Sequence, residues 1–481
     1  MSEPPHQAAA TDEAATTPDL PPDFWRDVRD SIRGVQQSYT SLSINRAIAL
    51  LAIPMVLEMA MQSLFSVVDV YFVAKLGSDP IAILGLADSL QALVFAVSMG
   101  LCMGTAAMVA RRIGEKDPAA AASAAVQAIM LGTVVSVAFG VLGALFAVEA
   151  LQLLGASPEL AADGALFTAI LLGTNITVML LFLINAVFRG AGDPALAMRA
   201  LWLANGINIV LDPLLIFGWG PIPALGLEGA AIATAIGRTI GIVYQLRLLT
   251  NGSSQIRIER HHWRPQIALM LRLARVSGIG ILQFLISTAS FLGLVKILAV
   301  FGDVALAGYT LAVRIIIFIL LPAWGMGNAA ATLVGQNLGA GDPERAEKSV
   351  WRTGVFNMLF MGCVAVVFQL FAEPLMAFFT DDTAVALLAA ECLLISSYSY
   401  VFWAFGMIMV LSFNGAGDTT TPTWINFFVY WLFQLPVAWA LAHPLGIGPT
   451  GVFIAVALSQ TLLAVVGTVM FKRGTWKTRV I

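Results

Sequence analysis

The chain has 481 residues, 59% of them hydrophobic and only 11% charged, where a soluble domain carries about 25% charged residues. Its mean hydropathy is +0.85, and its 26 Lys and Arg and 29 Asp and Glu leave long stretches without charge. That is too little charge to clothe a soluble globule of this size. A soluble enzyme, a nucleic-acid binder and a secreted disulfide scaffold are therefore excluded, and an all-α integral membrane protein remains. Cys102, Cys363 and Cys392 lie in or beside apolar stretches and read as small hydrophobes. His6, His261, His262 and His443 fall outside every apolar stretch and lack metal-ligand spacing, so no cofactor is expected.

In chain order, residues 1–45 are rich in Pro, Ala, Thr and acids and hold no apolar run. They read as a disordered cytoplasmic tail ending in a short polar or amphipathic segment, Phe24 to Tyr39, rather than as a signal peptide. Twelve apolar spans follow, at 48–75, 81–110, 121–148, 163–187, 197–217, 228–250, 276–300, 306–335, 350–372, 385–413, 422–442 and 450–471. A bilayer core about 30 Å thick needs roughly 20 apolar residues per helix, so each is long enough to cross. All but four of the Lys and Arg fall on one side when the N-terminus is placed inside. The exceptions, Lys75, Arg238, Lys296 and Arg314, lie within or at the end of spans. Both termini are thus expected in the cytoplasm of a multi-pass plasma-membrane (inner-membrane) protein.

The chain repeats at a shift of 225 residues. Gly114, Asp117 and Pro118 return as Gly339, Asp342 and Pro343, and Phe188, Gly190, Ala191, Gly192 and Asp193 return as Phe413, Gly415, Ala416, Gly417 and Asp418. Six spans per repeat bring both halves in from the same side. The expected layout is an N-lobe at 46–250, a basic linker at 251–275, a C-lobe at 276–475 and a tail at 476–481, with a transport path between the lobes.

No phosphate-binding loop is present, so transport would be ion-coupled or passive, and carboxylates inside spans become the functional candidates. Asp69, Asp212 and Thr234 are expected at one depth, roughly 8–12 Å below the outer surface at 1.5 Å per residue. Asn208 shares a helix face with Asp212, and Pro213 deprives the carbonyl of Ile209 of its helical partner. These oxygens suit Na⁺, and in a drier setting the same pair would hold a proton. Asp88 can join this cluster or face a loop, and Glu58 and Gln62, near the middle of the first span, can form a second polar site. The C-lobe offers aromatics instead: Phe284, Tyr309 and Trp403, with Met59 across from them, are the candidate substrate wall.

The segments Pro54 to Gly77, Arg111 to Pro118, Phe188-Arg-Gly-Ala-Gly-Asp with its echo Phe413-Asn-Gly-Ala-Gly-Asp, and Asn208-Ile-Val-Leu-Asp-Pro resemble the MATE (multidrug and toxic compound extrusion) family over nearly all of 46–475. The resemblance implies two six-helix lobes around a central cavity, and export of organic cations against H⁺ or Na⁺. In the DinF-like branch, which this chain resembles more, the coupling ion is held at positions matching Asp69, Asn208, Asp212 and Thr234, supported at Gln62 and Asn185. The C-lobe acids of the NorM-like branch fall near Ser287 and Trp403 here, which departs from that pattern. The expected partners are small organic substrates and the lipid bilayer, with no nucleic acid, in a monomer. A lipid-linked saccharide flippase of the same superfamily is the alternative reading.

Overall fold

The computed structural model describes residues 24–35, 37–221 and 223–479. Among them are seventeen α-helices. A short α1, Phe24–Arg33, precedes α2, Ile44–Ala74. The first lobe continues with α3, Ser78–Gly114, α4, Pro118–Leu145, α5, Ala147–Leu153, α6, Pro158–Gly173, α7, Asn175–Ala191, α8, Pro194–Ile216, and α9, Leu227–Thr250. The second lobe holds α10, Ile267–Ala299, α11, Asp303–Gly339, α12, Pro343–Phe379, α13, Thr383–Ser397, α14, Tyr400–Gly415, α15, Thr420–Asn426, α16, Leu435–Ala442, and α17, Pro449–Lys472.

Ten helices or helix runs are long and apolar enough to cross a membrane, and the bent pair α13–α14 makes an eleventh. The twelfth expected span is α9, whose 24 residues reach about 36 Å at 1.5 Å per residue but include Glu228, Arg238 and Arg247. The fourth span of each lobe is broken. In the N-lobe the break is at Thr174, where Asn175 Nδ2 donates to the carbonyls of Leu172 (2.6 Å) and Ser136 (3.1 Å). In the C-lobe α13 and α14 meet at 61°, where the hydroxyls of Ser397 and Ser399 donate to the carbonyls of Leu394 and Ser396. Side-chain competition for helical carbonyls is a known cause of such bends.

The repeated residues have structural work in common. Asp117 and Asp342 cap α4 and α12, each accepting a backbone N–H three residues on at 2.9 Å, with Pro118 and Pro343 in the first turn, where the missing N–H costs nothing. Gly114 and Gly339 bring the ends of α3 and α11 into reciprocal contact. A Cβ on Gly114 would lie 2.0 Å from the carbonyl oxygen of Gln336, and one on Gly339 would lie 2.2 Å from that of Arg111. Gly190 and Gly415 repeat the device within each lobe, against Ala106 and Ala331.

The lobes are joined at the face that bears both chain ends. Thr332 Oγ1 donates to the carbonyl of Arg189, and Gln336 Nε2 to that of Gly190, both at 3.1 Å. Tyr39 donates to the carbonyl of Gly192 (3.0 Å) while Arg345 of the other lobe donates to the carbonyls of Tyr39 and Leu42. At the C-terminal end, Arg479 pairs with Asp418 at 3.3 Å and its carbonyl accepts from Arg111. The expectation of a disordered tail over 1–45 therefore fails for residues 24–35 and 37–45, because Asp27 and Asp30 pair with Arg46 and Tyr39 is buried. The first 23 residues lie outside the described ones. The linker is also shorter than expected, since α10 begins at Ile267. Its preceding residues are bound to the N-lobe: Gln127 Nε2 donates to the carbonyls of His262 and Arg264.

Candidate functional site

Two polar clusters and a pair of cavities lie inside the helix bundle. The first is the expected ion site. In α8, Asn208 and Asp212 are one turn apart and both buried, at 2% and 0% exposure. Asn208 Nδ2 donates to Thr234 Oγ1 of α9 at 2.9 Å, which joins two of the expected residues. Among the described residues the carboxylate oxygens of Asp212 and the amide oxygen of Asn208 are buried without a partner in hydrogen-bond geometry, with the Asn208 side chain close enough to act on Asp212. Three adjacent oxygens left bare in this way are a donor set for a small cation or a proton, because unpartnered buried acceptors cost about 1–3 kcal/mol each. Asp69 of α2 is near enough to Asp212 to interact with it electrostatically. No hydrogen bond joins the two.

Asp69 has a second neighbour that sequence reasoning missed. Arg238 of α9 lies within electrostatic reach of both Asp69 and Asp88, and Arg314 of α11 within reach of Asp88. Arg238 stood out as a charge inside a span, and such a charge asks for a partner; its register on α9, one turn beyond Thr234, was the available signal.

The second cluster gathers Glu58, expected to form a second polar site, and Asn185, expected to support the ion site, in one network nearer the joined face. Glu58 is fully buried, and its Oε1 accepts from Arg189 Nη1 at 2.7 Å and from Asn185 Nδ2 at 2.9 Å. Gln245 Nε2 donates to Asn185 Oδ1 at 2.6 Å. Gln62 belongs to neither network: its Oε1 accepts from Asn205 at 3.3 Å.

The third feature is a pair of cavities. The central one lies between the lobes and offers about 920 Å³ of open space, mouth included, lined by Met59, Gln62, Phe95, Phe284, Trp324 and Arg189 among others. A second cavity lies within the C-lobe, walled by Phe291, Tyr309, Trp403, Tyr430 and Gln434. The four expected substrate-wall residues thus divide: Met59 and Phe284 face the central cavity, Tyr309 and Trp403 the C-lobe one. Ser287 also lines the latter, and no carboxylate does among the described residues. Its polar edge is neutral, with Ser290 Oγ donating to Gln434 Oε1 at 3.2 Å. A π-helical stretch, Phe427–Gln434, presents Tyr430 and Gln434 there, just before Pro436, which has no N–H to give.

The MatE family model matches the chain twice, over residues 54–214 and 280–440, one match in each lobe. A probable multidrug resistance protein NorM of Thermotoga maritima is 25% identical over 438 residues, which covers 91% of this chain and 94% of that one. An FAD transporter of Shewanella oneidensis is 25% identical over 435 residues, 88% of this chain and 94% of its own. A solved structure described as the outward-facing conformation of a multidrug resistance MATE family transporter superposes with a TM-score of 0.86 at 25% identity, covering 93% of this chain and 99% of that one.

Proposed function

Because the chain belongs to the MATE family and is a membrane transporter, we propose that it is an antiporter that exports amphipathic organic compounds in exchange for H⁺ or Na⁺ held in the N-lobe. The observation that carries the reading is the buried, unpartnered set formed by both carboxylate oxygens of Asp212 and the amide oxygen of Asn208. With Asp69 in electrostatic range, the group has excess negative charge and bare lone pairs until a cation arrives. Thr234 fixes the Asn208 amide through its hydroxyl, leaving the amide oxygen free to turn toward that cation.

Binding of the ion changes the mutual repulsion of Asp69 and Asp212 and so the packing of α2 on α8. A ligand shifts a conformational equilibrium by its differential affinity for the two states. Arg238 competes for Asp69 when the ion leaves. The excess of Lys and Arg on the joined face supports a cytoplasmic position for it; in this reading the ion enters from the opposite side and cargo leaves by it.

Relatives named for multidrug resistance and for FAD are each 25% identical over 91% and 88% of this chain, so family membership does not fix the charge of the cargo. Proteoliposomes loaded with ethidium test the reading under an imposed pH gradient and, separately, a Na⁺ gradient. One of the two drives export in the wild type, and Asp212→Asn abolishes it while the protein still folds. Gradient-driven export by Asp212→Asn at the wild-type rate overturns the site assignment.

A further inference from the structure

We infer that the central cavity recognises an acidic group on its cargo through Arg189, so that amphipathic organic acids and zwitterions are its preferred substrates. The inference deepens the export reading and rests on it for the word cargo. Among the described lining residues Arg189 is the single charged group of the central cavity. The cation expected as cargo from sequence therefore meets a guanidinium there, with no lining carboxylate.

The geometry leaves Arg189 able to take a ligand. Of its guanidinium nitrogens only Nη1 is bonded by the protein, to Glu58 Oε1. Among the described residues Nε and Nη2 have no hydrogen-bond partner, and neither is among the fully buried unpartnered atoms, so both keep some exposure in a side chain that lines the cavity. A guanidinium offers five N–H donors in a planar fork and binds carboxylate or phosphate with two parallel bonds. Glu58 is fully enclosed and does not line the cavity; it holds Arg189 from behind. The backbone carbonyl of Arg189 is fixed at the same time by Thr332 of the other lobe. Phe284 stands 6.0 Å from Trp324 and 6.1 Å from Phe95, centroid to centroid, with ring planes inclined by 41° and 71°, which supplies an angled aromatic wall for the body of the molecule.

The other repeat shows that this charge is not demanded by packing. At the same shift of 225 residues, Glu58 and Arg189 correspond to Gln283 and Asn414, both buried. The C-lobe carries neutral amides at the two equivalent positions, and no hydrogen bond joins them: Asn414 donates to Met103 Sδ at 3.6 Å instead. A buried ion pair is weak evidence for stability, and replacing one by neutral groups often costs little. The charged version in the N-lobe is thus best explained by what the guanidinium meets on its open side.

The test is equilibrium binding of 1-pyrenebutyrate, 1-pyrenebutanol and ethidium to the purified full-length protein in detergent at neutral pH. The acid and the alcohol share a ring system and differ in charge. Hydrogen bonds to charged groups correspond to roughly a 10- to 100-fold preference, so the wild type is expected to bind the acid at least about 10-fold more tightly than the alcohol. Arg189→Gln removes that preference. Should Arg189→Gln fail to fold because Glu58 is left unpaired, the double variant Glu58→Gln/Arg189→Gln strands no charge and loses the preference equally. Arg189→Lys keeps part of it. Equal binding of acid and alcohol by the wild type, or a preference that survives in the double variant, overturns the inference. Ethidium export under a gradient with no preference for the acid sinks this proposal and leaves antiport standing. A preference for the acid without gradient-driven export does the reverse.

Discussion

Gly114→Ala tests whether the joined face is held by backbone contact between the lobes. The added Cβ would stand 2.0 Å from the Gln336 carbonyl oxygen and 2.9 Å from its Cα. Both obstructing atoms are backbone, so no side chain can rotate aside, and α11 has to retreat by about 1.4 Å for the oxygen to reach ordinary contact at 3.4 Å. Overpacking of this kind costs about 1–3 kcal/mol. Only arrangements in which α3 and α11 touch here bear that cost, so the ratio of joined to parted lobes falls by about 5- to 150-fold. Cys102 lines the central cavity and serves as the reporter once Cys363, which is exposed, and Cys392, which is buried, are replaced by Ser and Ala. A membrane-impermeant maleimide supplied at the basic face of sealed vesicles should label Cys102 at least about 5-fold faster in Gly114→Ala than in the parent. Gly339→Ala, which meets Arg111 at 2.2 Å, should behave alike. An unchanged labelling rate in a well-folded variant would show that this contact does not hold the lobes together.

Two further predictions concern the loops at the same face. Asp117→Ala and Asp342→Ala each remove one cap bond of 2.9 Å and should each lower stability by about 1 kcal/mol, read as similar drops in unfolding temperature; a silent member of the pair would count against equivalent roles in the two lobes. Asp193 is buried between Ser254 and Gln255, which bond its Oδ2 at 2.6 and 2.7 Å, and burial outweighs those bonds and pushes its carboxyl from 3.8 up to about 6. The folded protein therefore holds a proton that the unfolded chain has released. That stabilisation is full below pH 4 and is lost as pH rises through 6, about 3 kcal/mol in all at 1.36 kcal/mol per pKa unit. Asp193→Asn should flatten the dependence of unfolding temperature on pH over that window, and a slope identical to wild type would exclude Asp193 as its source.

The two-lobed fold was legible because its signals are local and repeated. Asp-Pro at 117–118 and 342–343 marks helix starts by cap chemistry, and hydropathy marks the spans that follow. The glycines at 114 and 339 were visible as repeats, while their reason, a reciprocal approach of two helices from different lobes, needs coordinates. The Asn208–Asp212 face followed from helical periodicity, and Thr234 from depth counting. The partner of Glu58 did not follow. Arg189 was assigned to the basic side by counting charges, although the two echoed motifs differ at this very position, Arg against Asn414. A departure between repeats inside an otherwise shared motif was the signal, and it needed the companion departure, Glu58 against Gln283, to be read as a pair. The tail failed for another reason: its polar composition is that of a disordered segment, and its order comes from Asp27, Asp30 and Tyr39 finding partners on the lobes.

The two charged places in the N-lobe are mechanically linked because α2 carries an acid of each. Glu58 and Asp69 lie about 16 Å apart along one helix at 1.5 Å per residue, the first tied to Arg189 and the second facing Asp212 and Arg238. Beside Glu58 and on toward Asp69, α2 is fastened to α8, where Trp202 Nε1 donates to the Leu57 carbonyl at 3.1 Å and Asn205 to Gln62. It is also fastened to the other lobe, where Ser63 Oγ donates to the Phe318 carbonyl at 3.4 Å and Gly325 admits the Met55 backbone so closely that a Cβ would lie 2.7 Å from its oxygen. A helix held on both sides cannot shift at Asp69 without changing either its seat on α8 or its contact with α11. In the antiport reading, occupation of the ion site thus acts on the cargo site through one rigid element, and the direction of coupling is set by which of the two seams yields first. The α8 seam is held by two directional side-chain hydrogen bonds, whereas the α11 seam has one long bond, a glycine approach and the buried apolar cluster of Leu51, Met55, Ala329 and Leu333, so the α11 seam, resting mainly on non-directional packing, is the one that can slide without stranding a polar group.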